Sequence, residues 1–171
     1  MRTRTLPFRW NMSHPTLSKR LGQGSSAALP KGTKDALLRC SASVLVAASG
    51  AELVFVGRSP ENLFDLLSGA LAETSWYDRV HLLQLSLRNT PPGTLRRRLP
   101  GALARLWCYF DRLGLTPEQI LNRNRPVAFV DLVFSGATFG ALVKVLRHWT
   151  GGEPGRWAAV RERLRWVALV E

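Results

Sequence analysis

Short apolar runs alternate along the chain with stretches of helical spacing. Leu53 to Val56 and Val127 to Val130 contain no polar position at all, which is the content of a strand buried on both faces. In Val80 to Leu87 the residues Leu83, Leu85 and Leu87 alternate with Gln84 and Ser86, predicting a strand with one more polar face. Trp166 to Val170 is a fourth strand-like run near the end. Between these lie apolar positions at helical spacing: Leu63, Phe64, Leu66, Leu67 and Leu71; Leu103, Leu106, Trp107 and Phe110; Phe139, Leu142, Val143 and Leu146. Asp35 to Ala48 begins as a helix, and its second run, Val44 to Val46, reads either as the end of that helix or as a strand. Strands alternating with helices predict an α/β fold with a mainly parallel sheet flanked by helices.

Boundary residues sharpen several of these elements. Gly114 is the expected left-handed stop of a helix over Gly101 to Leu113, and Thr116-Pro117-Glu118 opens another through Leu121. Ser59 is a candidate cap for the helix after the first strand, with Pro60 at its first position and Glu61 in its first turn. Thr150 to Gly155 reads as a Gly/Pro loop and Arg156 to Arg165 as a short basic helix. Trp107, Tyr109 and Phe110 read as core or core-edge aromatics.

Two strand-to-helix turns carry the candidate chemistry. The run Val127 to Val130 stops at the carboxylate of Asp131, and Ser135, Gly136, Ala137 and Thr138 form a small, polar loop before the next helix. Such a loop aims backbone N–H groups and a helix N-terminus at one point, an arrangement that favours an anion. Gly57, Arg58 and Ser59 repeat the layout after the first strand. Taken alone they are an ordinary turn with a solvated arginine. In a parallel sheet, however, both turns leave the carboxyl ends of strands, where such folds bind ligands.

The segment VDLVFSGAT, Val130 to Thr138, resembles the phosphoribosyl-pyrophosphate signature of type I phosphoribosyltransferases, in which a buried strand ends in two acids followed by a Ser/Thr/Gly-rich phosphate loop. The resemblance implies that Asp131 is the catalytic-site acid gripping a ribose hydroxyl. It further implies that Ser135, Gly136, Ala137 and Thr138 surround a 5′-phosphate, and that Gly57, Arg58 and Ser59 form the pyrophosphate loop. Arg96, Arg97 and Arg98, in the Pro/Gly-rich stretch Arg88 to Pro100, match the mobile basic loop that closes over the family's site. Mg²⁺ would be the cofactor, bridging pyrophosphate and ribose oxygens, and the ligand a phosphorylated sugar. Leu132 stands where the second acid belongs, so one ribose-side oxygen group is missing. In the family more protein follows the last strand and shapes the base-facing side; here one residue follows Val170. The function read from the resemblance is binding of phosphoribosyl pyrophosphate or a related sugar phosphate, with transfer to an unknown acceptor as part of nucleotide metabolism. A non-catalytic sensor or nucleic-acid-binding regulator on the same fold is the alternative. An unrelated doubly wound domain, in which Asp131 merely caps the following loop, also stays open.

Composition narrows the partners. The 171 residues suit one main domain, and a formal charge of +12 attracts polyanions or phosphorylated small molecules. Residues 1–34 hold no Asp or Glu and seven Lys and Arg, which predicts a loosely ordered basic arm ahead of a domain over 35–171. A transit peptide has a similar composition; the lack of a clear amphipathic helix favours the arm. Nucleic acid is therefore a candidate partner through the basic surface, and a homodimer is open. Cys40 and Cys108 lack metal or redox spacing and read as buried thiols of a reducing compartment. No run reaches the roughly 20 apolar residues that span a bilayer, so no membrane partner and a cytoplasmic location are expected. His81 reads as an ordinary strand-start residue, with Asp78 the one carboxylate close to it in sequence.

Overall fold

A computed structural model of the chain describes residues 31–86 and 101–170. It divides into two units, Met1–Leu38 and Arg39–Glu171, and every strand among the described residues lies in the second. The basic arm, up to residue 30, and the loop residues Arg96, Arg97 and Arg98 lie outside the described residues.

The chain is α/β, with four strands in one all-parallel sheet flanked by helices. Helix α1 (Thr33–Ala48) precedes β1 (Glu52–Val56). Helix α2 (Glu61–Ala70) and a short 3-10 turn (Tyr77–Arg79) lead to β2 (Val80–Leu83). Helices α3 (Ala102–Leu113) and α4 (Pro117–Leu121) lead to β3 (Val127–Leu132), and α5 (Ala137–Trp149) and α6 (Pro154–Glu162) lead to β4 (Leu164–Leu169). The strand order is β2-β1-β3-β4, with register pairs Leu53↔Val80, Phe55↔Val130 and Val127↔Leu164 among others.

The two central strands explain the unbroken apolar runs. In β1, Val54 and Val56 enter a cluster with Val127 and Phe129 of β3, Phe110 of α3, Ile120 of α4, Leu142, Val145 and Leu146 of α5, and Val160 of α6. Leu53 and Phe55 alternate to the opposite face, where Phe55 meets Phe64 of α2 edge-on at 6.1 Å. Both faces are thus covered, so no polar residue is tolerated between Leu53 and Val56 or between Val127 and Val130. Trp149 receives the rings of Trp107 and Phe110 at centroid distances of 5.1 and 5.0 Å, while Trp166 stacks on Phe129 at 5.3 Å. These aromatics are packing residues.

Several boundaries differ from the sequence expectation. Val44 to Val46 continue α1, which buries Ser41, Val44 and Ala48 at helical spacing and leaves Val46 exposed. Ser59 does not cap α2: Pro60 takes the N-cap position, its carbonyl accepting from the amides of Leu63 and Phe64 at 3.0 and 3.1 Å. Helix α6 begins at Pro154, earlier than Arg156, and β4 begins at Leu164. Thr116 does cap α4, in a reciprocal capping box with Gln119. Cys108 is exposed and Cys40 half-buried, which corrects the expectation of two buried thiols. The reason is periodicity: Leu106, Tyr109, Leu113 and the buried Phe110 define the inward side of α3, and Cys108 points away from it. No helix among the described residues is long and apolar enough to cross a membrane.

Candidate functional site

Strand order decides where the two turns meet. From β1 the chain passes through α2 to β2 on one side, then returns through α3 and α4 to β3 on the other. The direction of winding therefore reverses between β1 and β3, and the crevice at the carboxyl ends of such a pair is where open α/β sheets take ligands. Phe55 pairs with Val130, and two residues further along each strand stand Gly57 and Leu132. Neighbouring parallel strands lie about 4.8 Å apart. Gly57–Ser59 and Asp131–Thr138 consequently leave one rim, side by side.

The first turn is made by Gly57. Its φ of +75° is a left-handed conformation, its N–H donates to Leu83 O at 2.9 Å, and a Cβ there would stand 3.2 Å from the carbonyl oxygen of Leu85. Both demands select glycine. Arg58 and Ser59 follow, fully exposed. The start of α2 offers few spare donors, because Pro60 has no N–H and the Glu61 amide donates to Arg58 O at 3.3 Å.

The second turn is more open. Val133 N–H still pairs with Leu169 O at 2.8 Å, after which Phe134 and Ser135 are exposed and Gly136, at φ +69°, starts α5 with no side-chain cap. Gly140 N–H to Gly136 O, 2.9 Å, is the first bond of the helical ladder. The amides of Ala137, Thr138 and Phe139 lie ahead of it at the positive end of a 13-residue helix.

Asp131 sits beneath this loop and is only 6% exposed. Burial raises its pKa above the ordinary carboxylate value, opposed by hydrogen bonds that it accepts from the Thr138 hydroxyl and the Leu132 backbone N–H. Thr138, in the first turn of α5, thus lies beside the acid at the end of β3. Leu132 beside it is half-buried and pairs with Leu169.

Comparison of the chain with protein-family models, with curated proteins and with solved structures found no match. Toward a protein-held Mg²⁺ the end of β3 offers the Asp131 carboxylate, and the neighbouring Leu132 side chain supplies no oxygen. Among the described residues no group of three or more His, Cys, Asp or Glu gathers to hold a metal.

Two features escaped the reading of the sequence. Phe134, 81% exposed, stands on the rim loop between Asp131 and Ser135. At the opposite edge of the sheet, Glu52 forms an ion pair with Arg123 and lies 3.6 Å from His81 Nε2. The carboxylate beside His81 thus comes from the neighbouring strand, where Val54 pairs with His81, and not from Asp78. Arg123 also donates to the carbonyls of Leu113 and Gly114, tying the α3–α4 corner to β1. Strand register, invisible in one dimension, makes both contacts.

Proposed function

We propose that the rim between Gly57–Ser59 and Phe134–Thr138 binds a phosphorylated sugar of the phosphoribosyl pyrophosphate class, and that the protein binds this ligand without transferring its phosphoribosyl group. The observation that carries the reading is the meeting of two glycine turns on adjacent parallel strands where the winding reverses, one of them opening α5 without a side-chain cap. In this reading the amides of Ala137 and Thr138 and the Ser135 hydroxyl hold the terminal phosphate. Arg58 approaches the second phosphoryl group as a charged fork, and Asp131 orders the loop from below.

Transfer chemistry asks for a group that steadies the developing sugar cation or removes a proton from the acceptor. Asp131 is buried, and the Leu132 side chain has no polar atom. Binding is therefore the better-supported half of the resemblance. Any Mg²⁺ would arrive on the ligand's own oxygens.

Isothermal titration of the full chain with phosphoribosyl pyrophosphate, ribose 5-phosphate and inorganic pyrophosphate, each with and without Mg²⁺, tests the proposal. Saturable heat with the first two, lost in Ser135→Glu, is expected, with no pyrophosphate released when bases are added. Absence of heat with every phosphorylated sugar would sink the reading, and steady pyrophosphate release would restore the transferase.

A further inference from the structure

Charge is unevenly distributed along the described chain. Residues 31–86 carry five Lys and Arg against six Asp and Glu, whereas residues 123–165 carry eight against three. Most of those eight come together at the amino-terminal edge of the sheet, opposite the rim. Arg125 lies two residues before β3, and Arg163 and Arg165 flank the first residue of β4. Arg161 is in the last turn of α6 and Arg147 in the last turn of α5, which runs back toward that edge for β4 to lie parallel to β3.

Backbone contacts join these segments. Val127 N–H donates to Arg163 O at 2.9 Å, and the Arg163 guanidinium donates to the carbonyl of Arg123. Arg165 Nη1 donates to Glu162 O and Leu164 O at 3.3 and 3.2 Å. Arg123 and Arg156 are engaged with Glu52 and Glu118. Arg125, Arg147, Arg161 and Arg165 are exposed, and none of the four is in an ion pair with a described residue. Glu153 and Glu162 are the exposed acids of residues 123–165.

We propose that this edge is a docking surface for the sugar-phosphate backbone of nucleic acid. Helix ends explain part of the pattern, since cations near carbonyl termini are favourable by only about 0.3–1 kcal/mol each. Arg125 belongs to no helix, and Arg165 uses one nitrogen on carbonyls, leaving the rest of its fork for phosphate oxygens. Arginine outnumbers lysine seven to one among the eight cations, which suits bidentate phosphate contacts. A membrane surface fits less well. The exposed large apolar side chains among the described residues are Leu38, Val46, Phe134 and Val170, and none lies in α5, α6 or the segment before β3.

The test uses the full chain, a fluorescein-labelled oligonucleotide and anisotropy over a salt series. The triple variant Arg125→Gln/Arg161→Gln/Arg165→Gln is compared with wild type and with Arg105→Gln/Arg112→Gln on α3. Melting temperatures verify that all remain folded. Wild type should bind with a steep salt dependence, and the triple variant should lose about one unit of log–log slope per arginine and about tenfold or more in affinity. The α3 variant should stay close to wild type. Unchanged slope and affinity in the triple variant would overturn the proposal, as would losses in the α3 variant equal to those of the triple. Binding to phosphatidylserine vesicles without binding to the oligonucleotide, or binding to neither, would overturn it too. Sugar-phosphate binding at the rim does not depend on these arginines and is measured separately.

Discussion

Asp131, the buried acid near the end of β3, accepts a hydrogen bond from the hydroxyl of Thr138 in the first turn of α5. The contact joins the end of β3 to the start of α5. Burial is the larger influence and raises the pKa, while the hydrogen bonds from Thr138 and Leu132 N–H lower it. An acid whose folded pKa lies above its unfolded value binds its proton more tightly in the fold. The contribution of this one group to stability is therefore fully present below the unfolded value of 3.8 and is lost as pH rises through the folded one. Asp131→Asn should remove that portion of the pH dependence and match or exceed wild-type stability at neutral pH. Melting curves of both proteins between acid and neutral pH check this, and a difference that grows in wild type's favour as pH rises would refute it.

Thr138→Val leaves the carboxyl without its side-chain donor and should destabilise by about 1–3 kcal/mol. Urea denaturation of this variant, alone and combined with Asp131→Asn, separates the shared contact from the effect of the valine itself. The combined variant should lose less than the two single losses added together.

The two rim glycines should respond differently to alanine. Each has positive φ, and a left-handed alanine costs about 1–2 kcal/mol. At Gly136 the new methyl meets open space, whereas at Gly57 it meets Leu85 O at 3.2 Å. Gly57→Ala should therefore be the more destabilising in chemical denaturation, and equal losses would contradict the close approach of β2's end to the β1 turn.

The ion pair at the opposite edge is nearly enclosed, with side chains 7% exposed for Arg123 and 18% for Glu52. Removing one partner of such a pair strands the other, at about 3–5 kcal/mol. Arg123→Met should show a loss of that order, enlarged by the carbonyls of Leu113 and Gly114 that the guanidinium satisfies. The double variant Glu52→Leu/Arg123→Met should recover part of it.

At the rim, Ser135→Glu places a carboxylate where a phosphate is proposed to sit, on an exposed side chain that packing does not need. Sugar-phosphate affinity should fall at least about tenfold with a melting temperature that does not fall, since the carboxylate takes up the positive helix end itself and repels the phosphate. In the proposed binding mode, with the buried acid ordering the loop from below, Asp131→Asn should leave affinity nearly unchanged. A large loss there would give Asp131 the ribose-gripping role.

Elements dominated by local signals were legible from residue order. The capping box of Thr116 and Gln119, the left-handed stop at Gly114 and the bare apolar runs of β1 and β3 each depend on neighbours within a few positions. The start of α2 was misjudged, because Ser59-Pro60 offers two helix starts that local preference does not distinguish. The thiol of Cys108 was misplaced because an apolar neighbourhood in sequence is not the inward face of a helix. The small, polar turn ahead of α5 was legible; the burial of Asp131 was not, since it depends on how segments distant in sequence cover the end of β3.

Amino-acid order by itself determined that strands and helices alternate, that the central strands are covered on both faces, and that two glycine turns follow strands, because periodicity and φ preference act over a few residues. Tertiary structure alone decided that β1 and β3 are neighbours, that Glu52 meets Arg123 and His81, and that Asp131 is buried at the end of its strand. Those are consequences of strand order and register, which arise from burial shared among segments far apart in the chain.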